Sequence, residues 1–516
     1  MTRLVLLLLA AAPVVAQEPP KAKKPPFTVS KETTYVTGPV DKDGYIDYVA
    51  ALNQRLGKGI TAETNANVRI WQAVGPKPEG GNPMRAEFFK YMGIAPPPEA
   101  GDYFIDFYKY AREILGVVLA PDVNDDLSVA GRYPWTVKDF PTVATWLTAM
   151  QKPLDLVVDG CARPHYYSPM VPTVGPDGPN GLISCLLPAI QKCRTLATAL
   201  TTRAMLRLGE GKPEAAWADL VATHRLARHV GRGSTLIEGL VSMAIEAIVS
   251  RSELVFLDRA GLDAKGVRAC VRDLDALPPM TTAADMVDHG ERFFFLETVM
   301  RIAAKGLDAV EGFGVLDKDD PRLPKRAFED VDWDPALRDG NLVFDRLSAA
   351  MGEPDPTLRK AAFDKIEAQF KKLKADLMAD EDRPLFEPDA APQTKGKVFG
   401  EILLCTLVPA VVKVSVASGR AQQTWANLRV AFALAEYRAE HKAYPKSLNE
   451  LAPKYMAKVP GDLFTGKPLT YKAMGAGYLL YSFGQNGKDD EGRWFDDVPQ
   501  GDDPRVLMPV IPPAKK

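Results

Sequence analysis

The stretch Tyr437–Asp490, YRAEHKAYPKSLNELAPKYMAKVPGDLFTGKPLTYKAMGAGYLLYSFGQNGKDD, holds a helix end, a short second helix and a two-stranded turn in one order. Val430, Leu434, Tyr437 and His441 recur at intervals of four, three and four, which is one face of a helix that has to stop before Pro445. Ser447 followed by Glu450 forms a capping box for a short helix over 447–455. Pro460 and Gly466 then mark the loops leading to a strand pair, Leu469–Lys472 and Tyr478–Ser482.

Working outward, this order, with Tyr444-Pro445 at the helix exit and Leu480-Tyr481-Ser482-Phe483-Gly484 at the last strand, resembles the globular domain of type II secretion pseudopilins. The resemblance is confined to the C-terminal region and implies a packing module without catalytic apparatus. Pseudopilins open with a short leader, a Gly cleavage site and a long apolar helix. Here the nearest apolar run, Val398–Val416, is interrupted by Glu401, Pro409 and Lys413 and lies deep in the chain, so the resemblance implies the module and not pilus assembly. In the major pseudopilin a loop after the last strand holds calcium. Carried over, this implies a calcium site with Leu479 and Ser482 at the strand end and Asp489 or Asp490 with Asp496 or Asp497 as loop ligands. Hard cations favour several oxygens from one flexible loop, but the same residues without metal make a solvated acidic loop.

At the other end, Arg3, the apolar Leu4–Ala12 and Val14-x-Ala16 read as a secretory signal peptide over 1–16. Export to the periplasm or the extracellular space is the expectation. No later stretch has the ~18 uninterrupted apolar residues of a membrane span, so stable membrane insertion is not expected after cleavage. Hydrophobic residues make up 46% and charged residues 25%, the balance of a folded globular chain. The formal net charge of −2 provides no basic stripe for nucleic acid. The five cysteines, Cys161, Cys185, Cys193, Cys270 and Cys405, have no regular spacing. One bridge, Cys161 with Cys185 or Cys193, stays open beside the reading of all five as buried small hydrophobes.

The expected fold is mainly α, a multi-helix core with a small C-terminal α+β pseudopilin-like domain. Residues 17–39, rich in Pro and Lys, read as a disordered tether. Residues 40–185 read as helical and loop-rich, with helices over 46–56, 62–74 and 103–117, and 186–305 as an antiparallel helical core. Residues 306–396 read as an Asp/Pro-rich wrap, an amphipathic helix over 357–378 and a Pro-rich linker; 397–503 is the C-terminal domain and 504–516 a disordered tail. Within the core, Leu236, Ile237, Leu240, Val241, Ala244, Ile245, Ile248 and Val249 predict a buried helix face, with Glu238, Ser242, Glu246 and Ser250 on the solvent side.

The chain has no His-Glu-x-x-His, Gly-x-Ser-x-Gly or P-loop pattern. His224 falls on an apolar helix face and reads as a core histidine, and Asp41–Asp47 reads as a turn and helix start because it lacks both end ligands of an EF-hand loop. His165, between Pro164 and Tyr166, is the best single histidine for contacting a ligand. The resulting expectation is an exported, non-catalytic protein with protein partners in the cell envelope and no cofactor other than calcium. A hydrolase acting on an extracellular polymer stays open as an alternative, as does a ligand-binding module walled by Trp135, Trp146 and Tyr166.

Overall fold

A computed structural model describes residues 24–512 apart from 118–120, 176, 177, 180, 186, 311–319, 325 and 380–383. The expected leader therefore lies outside the described residues. Helices α1 (Tyr48–Leu56) and α2 (Ala66–Val74) are opened by Asp47 and Asn65, whose side chains accept the amides of Ala50 and Asn67. Asp41 likewise accepts the amides of Asp43 and Tyr45, which makes the acidic stretch before α1 a turn. α3 (Gln151–Cys161) packs along α2, and Gly160 permits the approach, since a Cβ there would sit 2.7 Å from the Arg69 Cβ.

The centre is the hairpin of α4 (Ile190–Gly209) and α5 (Pro213–Val230), crossed by α6 (Leu236–Arg259). Asp219, 1% exposed, binds Arg203 through two bonds of 3.0 and 2.7 Å and Arg207 through a third of 2.7 Å, so the hairpin is tied by charge as well as by its apolar seam. Arg203 continues to Asp155 on α3 at 2.7 Å. At the head of α6, Thr235 and Glu238 form a capping box.

The expected facing of α6 holds in part, with Leu236, Val241, Ile245 and Val249 buried as expected. Glu238, Glu246 and Ser250, expected outward, are buried as well, as is Glu253, whereas Ile237 is 52% and Leu240 42% exposed. Glu246 and Glu253 turn inward because they meet His224 and Arg228 of α5, and Glu238 because it closes the capping box of its own helix.

Beyond α6, α7 (Ala264–Asp275) and α8 (Arg292–Lys305) lead to α9 (Asp334–Gly352), which lies inside the stretch read as a surface wrap. Its Ala336, Leu337, Val343, Phe344 and Leu347 are core residues, and Pro335 at the first turn fits a helix start. α10 (Pro356–Met378) and the 50-residue α11 (Pro392–His441) complete this half. α11 runs through Pro409 because Leu403, Leu404, Val408, Val411 and Val412 are buried around it, which offsets the roughly 3 kcal/mol that an interior proline costs. One window of α11 is long and apolar enough to cross a bilayer by length and composition, and half of that window is buried inside the protein. The expected boundary at 397 therefore falls within a core helix, since α11 packs on both α9 and α10.

Two further expectations are corrected. The described part of the tether, residues 24–39, is packed: Thr33 and Thr34 are fully buried, the Thr28 amide donates to Asp334 at 2.7 Å, and Asn341 donates to the carbonyls of Glu32 and Thr33 at 2.9 Å. The tail expected over 504–516 begins as a strand. Strands β1 (Thr470–Met474), β2 (Gly477–Tyr481) and β3 (Arg505–Met508) form an antiparallel sheet in that order, with Leu479 opposite Lys472 and Leu507. Val506 and Met508 alternate inward and join Leu480, Val430 and Leu434 in one apolar cluster. The chain is thus mainly helical, with a small three-stranded antiparallel sheet near its C-terminus.

Candidate metal centre

β2 and β3 are joined by the loop 482–504. At its start Gly484 has φ +66°, and a Cβ there would lie 2.3 Å from the carbonyl oxygen of Asp502, so this position needs glycine for both conformation and space. Asn486 donates its amide to Asp502 Oδ2 at 3.1 Å and its side chain to Asp490 Oδ2 at 3.0 Å. Asp490 Oδ2 also accepts the Asp502 amide at 3.2 Å. Asp503 Oδ2 accepts two amides, from Asp490 at 3.0 Å and Gly492 at 2.9 Å.

These bonds bring three carboxylates together. Asp490, Asp502 and Asp503 each offer one oxygen, and the three oxygens lie within 4.8 Å of one another. Asp503 is fully buried, and the Oδ1 atoms of Asp502 and Asp503 are buried without a hydrogen-bond partner among the described residues. Leaving such an oxygen unpaired costs roughly 1–3 kcal/mol, more when it is charged. Burial first, then the neighbouring Asp490 and Asp489 carboxylates, pushes Asp503 up to about 6. Burial also raises Asp502, with Asp490 adding to it, whereas the hydrogen bonds from Asn486 and the Asp502 amide lower Asp490. Two acids held uphill beside one stabilised anion suit a hard divalent cation, which takes several carboxylate oxygens and completes its shell with carbonyls or water.

Of the residues expected to bind calcium, Asp490 is in the trio. Asp489 is set apart, accepting the Tyr481 hydroxyl at 3.0 Å and the Glu491 amide at 2.8 Å. Asp497 pairs with Arg505 and accepts the Trp494 amide, and Asp496 is exposed. Ser482 is buried, its hydroxyl accepting the Gly484 amide at 3.3 Å, and Leu479 is mid-strand in β2. Asp502 and Asp503 were missed because they sit more than ten residues after Asp490, and only the return strand β3 brings them back. The alternation of Val506 and Met508 was the available signal.

A second charged cluster lies in the helical core. His224 on α5 is fully buried, with Nδ1 2.8 Å from Glu246 and Nε2 2.8 Å from Glu253, both on α6. Burial pulls its pKa down, but the two carboxylates outweigh this and hold it up at about 9, so the ring is a cation at neutral pH. Arg228 pairs with Glu246 at 3.2 Å and lies over Trp425 at 4.8 Å. With both ring nitrogens protonated and engaged, His224 is neither a metal ligand nor a general base in this state. Burial lowers His229 to about 4; its Nε2 is 3.2 Å from the Cys161 carbonyl and its ring stacks on Tyr166.

Trp135, Trp146 and Tyr166, expected as a ligand wall, are core residues at 3%, 1% and 7% exposure. The Trp146 indole donates to the Ile105 carbonyl at 2.8 Å. His165 is exposed and takes part through its backbone, which pairs with Asn65. His441 bonds the Tyr455 hydroxyl at 2.9 Å. All five cysteines are free, so neither open pairing of Cys161 is formed.

Compared with protein-family models, with curated proteins and with solved structures, the chain matches none of them.

Proposed function

We propose that this is an exported, non-catalytic interaction or assembly protein of the cell envelope, whose pseudopilin-like C-terminal module is pinned by calcium at Asp490, Asp502 and Asp503. The observation that carries the reading is the pair of buried, unpartnered Oδ1 atoms of Asp502 and Asp503 beside Asp490. Structural ion pairs support the non-catalytic part, because His224, Glu246, Asp219 and Arg203 are all engaged in ties between helices. The leader pattern at 1–16 supports export.

Thermal unfolding of metal-stripped protein tests the calcium part. A cation at 100 times its dissociation constant stabilises the folded state by about 2.7 kcal/mol. The melting temperature should rise with calcium, fall back with chelator, and rise less with magnesium, which gives up its waters reluctantly. Identical curves with calcium and chelator would reject the cation.

A further inference from the structure

Ile237 and Leu240 leave part of the apolar side of α6 exposed, and α11 runs beside it. Leu240, Met243, Ala244 and Ala247 of α6 face Ala417, Ala421 and Thr424 of α11 across a groove of about 330 Å³. Alanines on both helices stop each wall at Cβ, which keeps the space open. Trp494 and Phe495, carried by the 482–504 loop, close one side, their rings 4.7 Å apart.

Besides Thr424, three polar side chains meet this apolar space. Glu246 borders it, but its charge is already balanced by His224 and Arg228. Ser250 lines the groove at 4% exposure. Arg420 also lines it and lies over Phe495 with its guanidinium carbon 5.2 Å from the ring centroid, without a carboxylate partner among the described residues. Stacking uses the face of a guanidinium and leaves its in-plane N–H donors available, the geometry that grips a carboxylate with two bonds. The volume is within the range of small-molecule sites, which combine apolar walls with a few placed polar groups.

We propose that this groove binds a small apolar monocarboxylate, with its chain between α6 and α11 and under Trp494 and Phe495, and its carboxylate on Arg420. The site does not depend on the cation reading, and its test is run at one fixed calcium concentration. Decanoate, kept monomeric, is titrated calorimetrically into the full chain beside decanol, which has the same chain and no charge. Arg420→Gln should weaken decanoate at least tenfold and leave decanol unchanged. Ala247→Trp, at an exposed position, should fill the groove and abolish binding of both, with circular dichroism and melting temperature unchanged. No decanoate binding to the wild type, or wild-type affinity for decanoate in either variant, would overturn the proposal.

Discussion

Asp503 reaches back across its loop to Asp490: its Oδ2 accepts the Asp490 amide at 3.0 Å while its Oδ1 stays buried and unpaired. One oxygen closes the loop and the other has no hydrogen-bond partner among the described residues. A carboxylate fixed in this way should make the apo protein sensitive to pH in a direction opposite to that of an ordinary salt-bridged acid.

The sign follows from the raised pKa. Between the ordinary Asp range and about 6, the folded state holds a proton at Asp503 that the unfolded chain has lost, so stability falls as pH rises through this window and is level above it. In chelator, the wild type should lose a few °C more than Asp503→Asn as pH is raised from about 4 to about 6.5. Melting scans of the two proteins measure it, and saturating calcium should remove the difference in slope.

Gly484→Ala should destabilise the C-terminal module by roughly 1–3 kcal/mol, because alanine resists φ +66° and its Cβ would meet the Asp502 carbonyl oxygen. The same displacement moves Asp502 away from Asp490, so calcium stabilisation should shrink in this variant. Denaturant unfolding with and without calcium reads both effects.

His224→Gln should cost about 3–5 kcal/mol, since it leaves the carboxylates of Glu246 and Glu253 buried with one cation, Arg228, for two charges. In the wild type the contribution of this histidine is fully present below its ordinary range near 6.5, and it is lost as pH rises through about 9. Urea unfolding at pH 7 and pH 9.5 should show the two proteins converging at the higher pH.

The N-terminus of protein recovered from its native compartment should be Gln17, following the Val14-x-Ala16 pattern. N-terminal sequencing decides it; an intact Met1 in the membrane fraction would count against cleavage and export together.

Local signals were legible where local chemistry decides. The capping box of Ser447 and Glu450 and the strands flanking Gly475 follow directly from residue order. What failed was non-local. Glu246 reads as solvent-facing because the cation that draws it inward, His224, belongs to another helix. Asp334–Gly352 was hidden by the acidic and proline-rich residues around it, although Leu337, Phe344 and Leu347 keep helical spacing. Pro409 interrupts the apolar run at 398–416 but not the helix, since buried apolar neighbours keep α11 continuous through it. The acidic trio needed β3 to reverse the chain, a strand of only four residues.

The central claim is tested most directly by calorimetric titration of calcium into metal-stripped full-length protein, beside Asp503→Asn. Extracellular modules hold calcium with dissociation constants of about 10⁻⁴–10⁻³ M. The wild type should bind one calcium in or below that range, and Asp503→Asn should lose at least tenfold in affinity while still folding. Absence of a binding isotherm for the wild type, or equal affinity in the two proteins, would contradict a cation held by Asp490, Asp502 and Asp503.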